Sequence, residues 1–209
     1  LDCVLLFAGD AVADFAGRRP TLPFRLTGRA AANWRSSMHK GRMEAFTDGV
    51  IAVIITIMVL ELKLPHEATW QALLANTHVF LSYVLSFAYV GIYWNNHHHM
   101  LQATRKVNGK VLWSNMLLLF WLSMVPFATG WMGENHFAPL PTALYGVVLL
   151  LCAVSYTLLQ NKLTKHTDGE NALLAEAVGS DLKGKISMVL YMAAIPLAFV
   201  QQNISHALY

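Results

Sequence analysis

The sequence predicts an all-α protein that crosses a membrane several times. Hydrophobic residues make up 56% of the chain and charged residues only 13%, whereas a soluble domain usually carries about 25% charged residues. The charges are also unevenly spread, because no Asp, Glu, Lys or Arg occurs in residues 68–104, 111–133, 135–161 and 186–209. Each of these stretches is long enough to cross a bilayer as a helix, which takes about 20 residues.

The predicted membrane spans follow these uncharged stretches and the prolines beside them. Pro65 closes the first span, since proline cannot continue a helix comfortably, and we expect Pro196 to kink the fifth. The predicted spans are residues 43–62, 69–97, 109–131, 141–161 and 186–200, and a sixth helix is expected to start at residue 204, truncated by the end of the sequence. One long last helix with a polar tail is the alternative to a turn followed by this sixth helix.

The first 37 residues differ from the rest of the chain. Residues 1–17 are apolar but short, and they lack the basic start of a signal peptide. We expect residues 1–37 to be a disordered or loosely attached arm, or an over-extended gene start with Met38 as the natural first residue. The membrane domain is then residues 38–209.

The basic residues predict the orientation in the membrane. Fourteen of the fifteen Lys and Arg residues lie in three segments: before the first span, between the second and third spans, and between the fourth and fifth spans. Only Lys63 lies elsewhere. Short cytoplasmic loops carry such an excess of basic residues. We therefore expect a multi-pass protein of the inner (plasma) membrane with a cytoplasmic N-terminus, and no nucleic-acid partner.

Enzymatic and metal chemistry are not predicted. No nucleophile–base arrangement of the kind an enzyme needs stands out, so we expect no catalytic residues and no enzymatic activity. His97, His98 and His99 are consecutive, and adjacent helical side chains point about 100° apart, so the three imidazoles do not easily face one ion. No metal site and no cofactor is expected, although histidine titrates near physiological pH and proton sensing stays open.

The first span carries charge at its edge. Arg42, Glu44 and Asp48 stand at the mouth of the uncharged residues 49–60, and ionised groups there are costly unless they are paired or face a wet cavity. One side of this helix should therefore face protein or water. Residues three or four apart share a helix face. One such apolar face comprises Phe46, Gly49 or Val50, Val53, Ile57 and Leu60, with Thr56 at its margin. The residues alone favour packing against neighbouring helices over a pore as the reason for this stripe, because almost any helix of a bundle has an apolar stripe.

Three motifs that follow one another along the chain resemble those of a known family. They are Arg42-x-x-x-Phe46-Thr47-Asp48 in the first span, Tyr93-Trp94-Asn-Asn-His97-His98 at the end of the second, and Leu112-Trp113-Ser-Asn115 with Ser123-Met-Val-Pro126-Phe127 in the third. Over residues 38–209 the chain resembles bacterial members of the transmembrane protein 175 family of potassium channels.

The resemblance implies six helices per subunit, a homotetramer around one pore lined by the first helix, and potassium ions passing in preference to sodium. It also implies a hydrophobic constriction formed by Val53, Ile57 and Leu60, with oxygen atoms from Thr56 beside it. Hydrophobic rings can close a pore by dewetting. The chain has no Thr-Val-Gly-Tyr-Gly filter sequence, so we expect only moderate selectivity.

A second group of residues lies at the inner end of the spans. We expect these side chains to form a polar network that holds the pore helix in register: Arg42, Phe46, Thr47, Asp48, Trp94, His97, His98 and Asn115. The alternative is a set of separate interfacial groups that face water. Two other functions stay open at this point, namely a secondary transporter and a membrane scaffold that conducts nothing.

Overall fold

The computed structural model describes residues 29–104, 107–165 and 182–200, with side chains from residue 40 onward except 165, 182 and 183. Every regular element in these residues is a helix. The helices in chain order are α1 (Arg29–Leu60), α2 (Trp70–Ala75), α3 (Thr77–Gln102), α4 (Gly109–Ser123), α5 (Val125–Glu134), α6 (Pro139–Lys165) and α7 (Leu182–Val200). The predicted all-α class is confirmed.

Three helical stretches among the described residues are long and apolar enough to cross a membrane: Lys40–Leu60, Gly109–Glu134 and Pro139–Thr164. Gly184–Val200 is apolar but shorter. The predicted second span, α3, is long but is not among the three, and it carries serines, tyrosines and the polar residues 95–99. The chain is thus a multi-pass membrane protein, whereas the exact number of crossings stays a prediction.

The predicted boundaries differ from the structure at several places. Helix α1 begins at Arg29, so residues 29–37 are helical where we expected an arm, because Arg29-Ala-Ala-Ala favours helix. The second span is interrupted at Asn76, whose φ of −95° and ψ of 9° separate α2 from α3. The third span is interrupted at Met124, just before Pro126 at the start of α5. Helix α6 extends beyond the predicted 141–161 at both ends. Residues 1–28 and the expected sixth helix lie outside the described residues.

The core lies where α4, α5 and α6 pack together and where α3 and α7 cover them. Gly133 of α5 sits close to α3: a Cβ atom there would lie 2.5 Å from Ser82 Oγ and 3.2 Å from Val79 Cα. Small residues let membrane helices approach closely, so glycine is needed at this crossing.

The turn between α5 and α6 is tight. His136 and Phe137 have φ values of 49° and 59°, the left-handed region that few non-glycine residues adopt. The Phe137 amide donates to Met132 O at 3.0 Å, and Thr142 Oγ1 donates to Phe137 O at 3.0 Å. These bonds hold the two helices as an antiparallel pair.

An ion pair joins the end of α5 to the loop that follows α1. Lys63 Nζ forms an ion pair with Glu134. Its hydrogen bond to Glu134, together with the negative charge there, raises the pKa of Lys63. Both side chains are exposed, so the pair contributes little to stability.

Candidate pore face and the polar contacts behind it

Helix α1 has two different faces. The face that packs into the bundle repeats every three or four residues and comprises Met43, Thr47, Ile51, Ile54 and Met58, all at most 4% exposed. On the other side, Val53 is 55% exposed, Ile57 41% and Leu60 80%. The part of the chain that the structure describes therefore leaves the predicted constriction residues largely uncovered. Packing against the described helices does not account for the stripe.

Thr56 lies beside this exposed stripe. Its Oγ1 donates a hydrogen bond to Val53 O at 2.8 Å, as Thr commonly does inside helices. The hydroxyl proton is thus used within α1, while the oxygen keeps a free lone pair toward the exposed side.

A buried chain of hydrogen bonds joins the packed face of α1 to α4 and α3. Asn115 Nδ2 donates to Thr47 Oγ1 at 2.8 Å, and Asn115 Oδ1 lies 2.8 Å from His97 Nε2. Since the amide nitrogen already serves Thr47, the amide oxygen must accept, which places the hydrogen of His97 on Nε2. All three side chains are at most 2% exposed. A chain of this kind gives Thr47, Asn115 and His97 hydrogen-bond partners inside the bundle, as buried polar side chains need.

The charged residues Glu44 and Asp48, which lie close to Thr47 on α1, form a second and more exposed set of contacts with α3. Trp94 Nε1 donates to Asp48 Oδ1 at 2.9 Å. The ring of Trp94 stacks on that of His98 with centroids 5.9 Å apart, and His98 Nδ1 lies 3.4 Å from Glu44 Oε1. Asp48 and Glu44 are each only partly buried. These contacts also join α1 to α3, beside the buried chain of hydrogen bonds.

Two residues of the expected network are not joined to it. Arg42 is exposed and makes no hydrogen bond or ion pair to the part of the chain that the structure describes. Phe46 is 51% exposed and lies on the stripe side of α1. Both instead line a shallow cavity of about 370 Å³ between α1 and α4. The structure thus brings together Thr47, Asp48, Trp94, His97, His98 and Asn115, and leaves Arg42 and Phe46 apart.

The three consecutive histidines diverge. His97 points to Asn115, His98 to Glu44, and His99 is exposed. Their different surroundings follow from the helical rotation of about 100° per residue.

Sequence reasoning missed a polar ridge along α3. Its buried members, spaced three or four apart, are Ser82, Ser86, Tyr89 and His97, with the partly buried Tyr93 among them. Ser86 Oγ lies 2.6 Å from Thr129 Oγ1 and 3.1 Å from Tyr145 Oη, and Tyr89 Oη donates to Leu149 O at 3.0 Å.

The outer face of α3 is apolar, as its exposed Phe80, Leu81, Val84, Leu85 and Ile92 show. Polar side chains inside and apolar ones outside are typical of a helix in lipid, where side-chain hydrogen bonds hold helices together. The regular spacing of the serines and tyrosines was the signal in the sequence.

Fold and site together define an all-α, multi-pass membrane protein whose first helix turns an apolar face away from its own bundle. The family model for the endosomal/lysosomal potassium channel TMEM175 matches residues 42–126. A potassium channel of Chryseobacterium sp. (strain P1-3) is 51% identical over 172 residues, which cover 82% of this chain and 89% of the relative. The chain therefore belongs to the TMEM175 family.

Two further comparisons agree with this assignment. A potassium channel of Streptomyces collinus is 29% identical over 177 residues, covering 80% of this chain and 86% of that protein. The crystal structure of a lysosomal potassium-selective channel TMEM175 homolog from Chamaesiphon minutus superposes with a TM-score of 0.71 at 27% identity. The superposition covers 82% of this chain and 92% of that chain.

Proposed function

We propose that this protein is a potassium-preferring cation channel, in which ions pass down their gradient through a hydrophobic constriction formed by α1 of each subunit. The observation that carries the proposal is the exposed stripe of Val53, Ile57 and Leu60. It lies within the segment that the family model matches, on the side of α1 that the described helices leave exposed. The relatives named above, which are called potassium channels, support the choice of ion.

The pathway requires several subunits. One exposed stripe on one helix encloses no space, whereas a ring of identical stripes around a symmetry axis does, and closed rings are the usual symmetry of homo-oligomers. We propose a homotetramer in the plasma membrane with its N-terminus in the cytoplasm. The basic residues at one end of the spans support this orientation.

The constriction selects between ions by the cost of removing their hydration water. A narrow apolar ring empties of water unless an ion brings some of its shell along. Potassium holds its water less tightly than sodium, so it crosses such a ring at lower cost. The hydroxyl oxygen of Thr56, whose proton is donated to Val53 O, is available to replace part of the lost hydration.

The polar contacts behind α1 have a positioning role in this proposal. The chain from Thr47 through Asn115 to His97 fixes the rotation of α1 about its axis. A rotation of α1 by one residue position, about 100°, would replace the stripe at the pore axis with a different set of side chains. The hydrogen bonds behind α1 therefore keep the constriction at a constant width in this proposal.

The test compares potassium and sodium flux into liposomes that contain the purified protein and either of two variants. In Ile57→Asn a polar side chain replaces a member of the stripe, and we expect the potassium-to-sodium flux ratio to fall toward one. Val59→Asn is the matched control, since Val59 is similarly exposed at 45% but lies two residues on, about 200° around the helix. We expect it to keep the ratio of the wild type.

The same assay separates the other two functions. Saturable potassium flux that depends on a gradient of a second ion would indicate a secondary transporter. No flux from well-folded oligomers of the wild type and of both variants would indicate a scaffold. Equal loss of preference in Ile57→Asn and Val59→Asn would contradict the assignment of the pore face.

A further inference from the structure

A cavity of about 690 Å³ lies where α4 begins beside the last turns of α6. Asn108, Gly109, Lys110, Trp113 and Lys162 line it. It is separate from the stripe and from the polar contacts behind α1, and the channel proposal gives it no role.

The lining is basic and has no acidic member. Lys110 comes from the first turn of α4 and Lys162 from the last turns of α6, so the two helices bring two positive charges to one concavity. Neither ammonium group forms an ion pair with any acidic residue of ranges 29–104, 107–165 and 182–200. Two lysines that face one space and have no acidic partner among the described residues favour an anion there.

The backbone at the start of α4 adds to this preference. Asn108 Oδ1 caps the helix by accepting from the Val111 amide at 3.0 Å, and the other amides of the first turn keep their partial positive charge. Gly109 leaves the approach open, since a Cβ atom there would meet nothing within 4 Å. An anion can therefore reach the cavity from outside.

The outer wall of the cavity is an exposed, mainly apolar face of α4. Trp113 is 79% exposed, and the residues that continue its face along α4, Leu117 and Phe120, are 40% and 54% exposed. Interfacial tryptophan above an exposed apolar stripe is typical of a helix side in contact with lipid headgroups and chains. This end of the spans also carries almost all of the basic residues.

We infer that this cavity binds the headgroup of an anionic phospholipid, with the phosphate between Lys110 and Lys162 and the acyl chains along Trp113, Leu117 and Phe120. Basic pockets between membrane helices on the cytoplasmic side recognise headgroups in this way. A phospholipid fits better than a soluble phosphate, because the apolar stripe continues directly from the basic end of the cavity. The inference does not depend on ion conduction.

The experiment measures lipid retention by native mass spectrometry of the full chain, released from detergent with phosphatidylglycerol or phosphatidylcholine added. We expect the wild type to retain phosphatidylglycerol preferentially. Lys110→Gln and Lys162→Gln should each weaken that preference about fivefold, since one basic residue near an anionic lipid contributes about 1 kcal/mol. The control is Lys185→Gln, an exposed lysine near the start of α7 that does not line the cavity, and it should retain the wild-type preference.

Three results would overturn the inference. One is equal retention of both lipids by the wild type, and another is an equal effect of all three glutamine variants. The third is displacement of phosphatidylglycerol by millimolar inorganic phosphate, which would make the cavity a site for soluble anions. If a glutamine variant misfolds, Lys110→Arg and Lys162→Arg replace it, and both should keep the preference because they keep the charge.

Discussion

The hydrogen-bond chain from Thr47 through Asn115 to His97 gives the sharpest test of the structure. Asn115→Leu keeps the branching of the side chain at Cγ but removes both bonds of the buried amide, each 2.8 Å long. The hydroxyl of Thr47 and the imidazole of His97 are then left unpaired in positions at most 2% exposed.

The expected loss follows from the two missing bonds. An unpaired buried group costs about 1–3 kcal/mol in a soluble protein, but interhelical side-chain bonds in membranes average about 0.6 kcal/mol with a maximum near 1.7. Two bonds in this setting give about 1–3 kcal/mol. For a chain of this size, 1 kcal/mol corresponds to about 2–4 °C, so the midpoint of thermal unfolding should fall by about 3–10 °C.

The assay is thermal unfolding of the oligomer in detergent, followed by the peak height in size-exclusion chromatography. Thr47→Val removes one of the two bonds and should lower the midpoint by about half as much. Ser114→Ala is the matched control, because Ser114 precedes Asn115 and its hydroxyl bonds only Lys110 O of its own helix. It should change the midpoint by less than about 2 °C, as expected for a site outside any such network.

The double variant decides whether the three residues act together. If they do, Thr47→Val and Asn115→Leu combine less than additively, with a coupling of about 0.5–1.7 kcal/mol. Strict additivity, or an Asn115→Leu midpoint within about 2 °C of the wild type, would refute the argument that this chain holds α1 in place.

Two further predictions concern α1 and α3. Asp48→Ala removes the acceptor for Trp94 Nε1. It should reduce the yield of assembled oligomer, measured by light scattering, and leave the potassium-to-sodium flux ratio unchanged. Normal assembly with an altered ion preference would contradict the positioning role of Asp48. Gly133→Ala places a Cβ atom 2.5 Å from Ser82 Oγ and should lower the unfolding midpoint by about 3–10 °C, since overpacking costs about 1–3 kcal/mol. At Gly130, one turn earlier, an added Cβ atom would have Glu61 side-chain atoms as its nearest neighbours, the closest being Oε2 at 3.4 Å. Gly130→Ala should therefore be nearly neutral, and equal effects of the two alanines would rule out close packing as the cause.

The amino-acid sequence was sufficient to predict the helices and the family. A membrane helix must satisfy its backbone hydrogen bonds within its own segment, so the uncharged stretches identify helices by local composition alone. Three ordered motifs were then enough to predict the family, which the comparisons confirm. The stripe of Val53, Ile57 and Leu60 was also visible, because spacing on one helix is a local property.

Other features depended on contacts between helices. The sequence could not show that Thr47 and Asn115 meet while Arg42 stays apart, because each contact depends on how two helices are rotated and shifted relative to each other. The inward direction of the serines and tyrosines of α3, and the meeting of Lys110 with Lys162, have the same origin. Local hydropathy and hydrogen bonding determine that a segment is a helix, whereas packing against other helices decides which of its faces becomes a site.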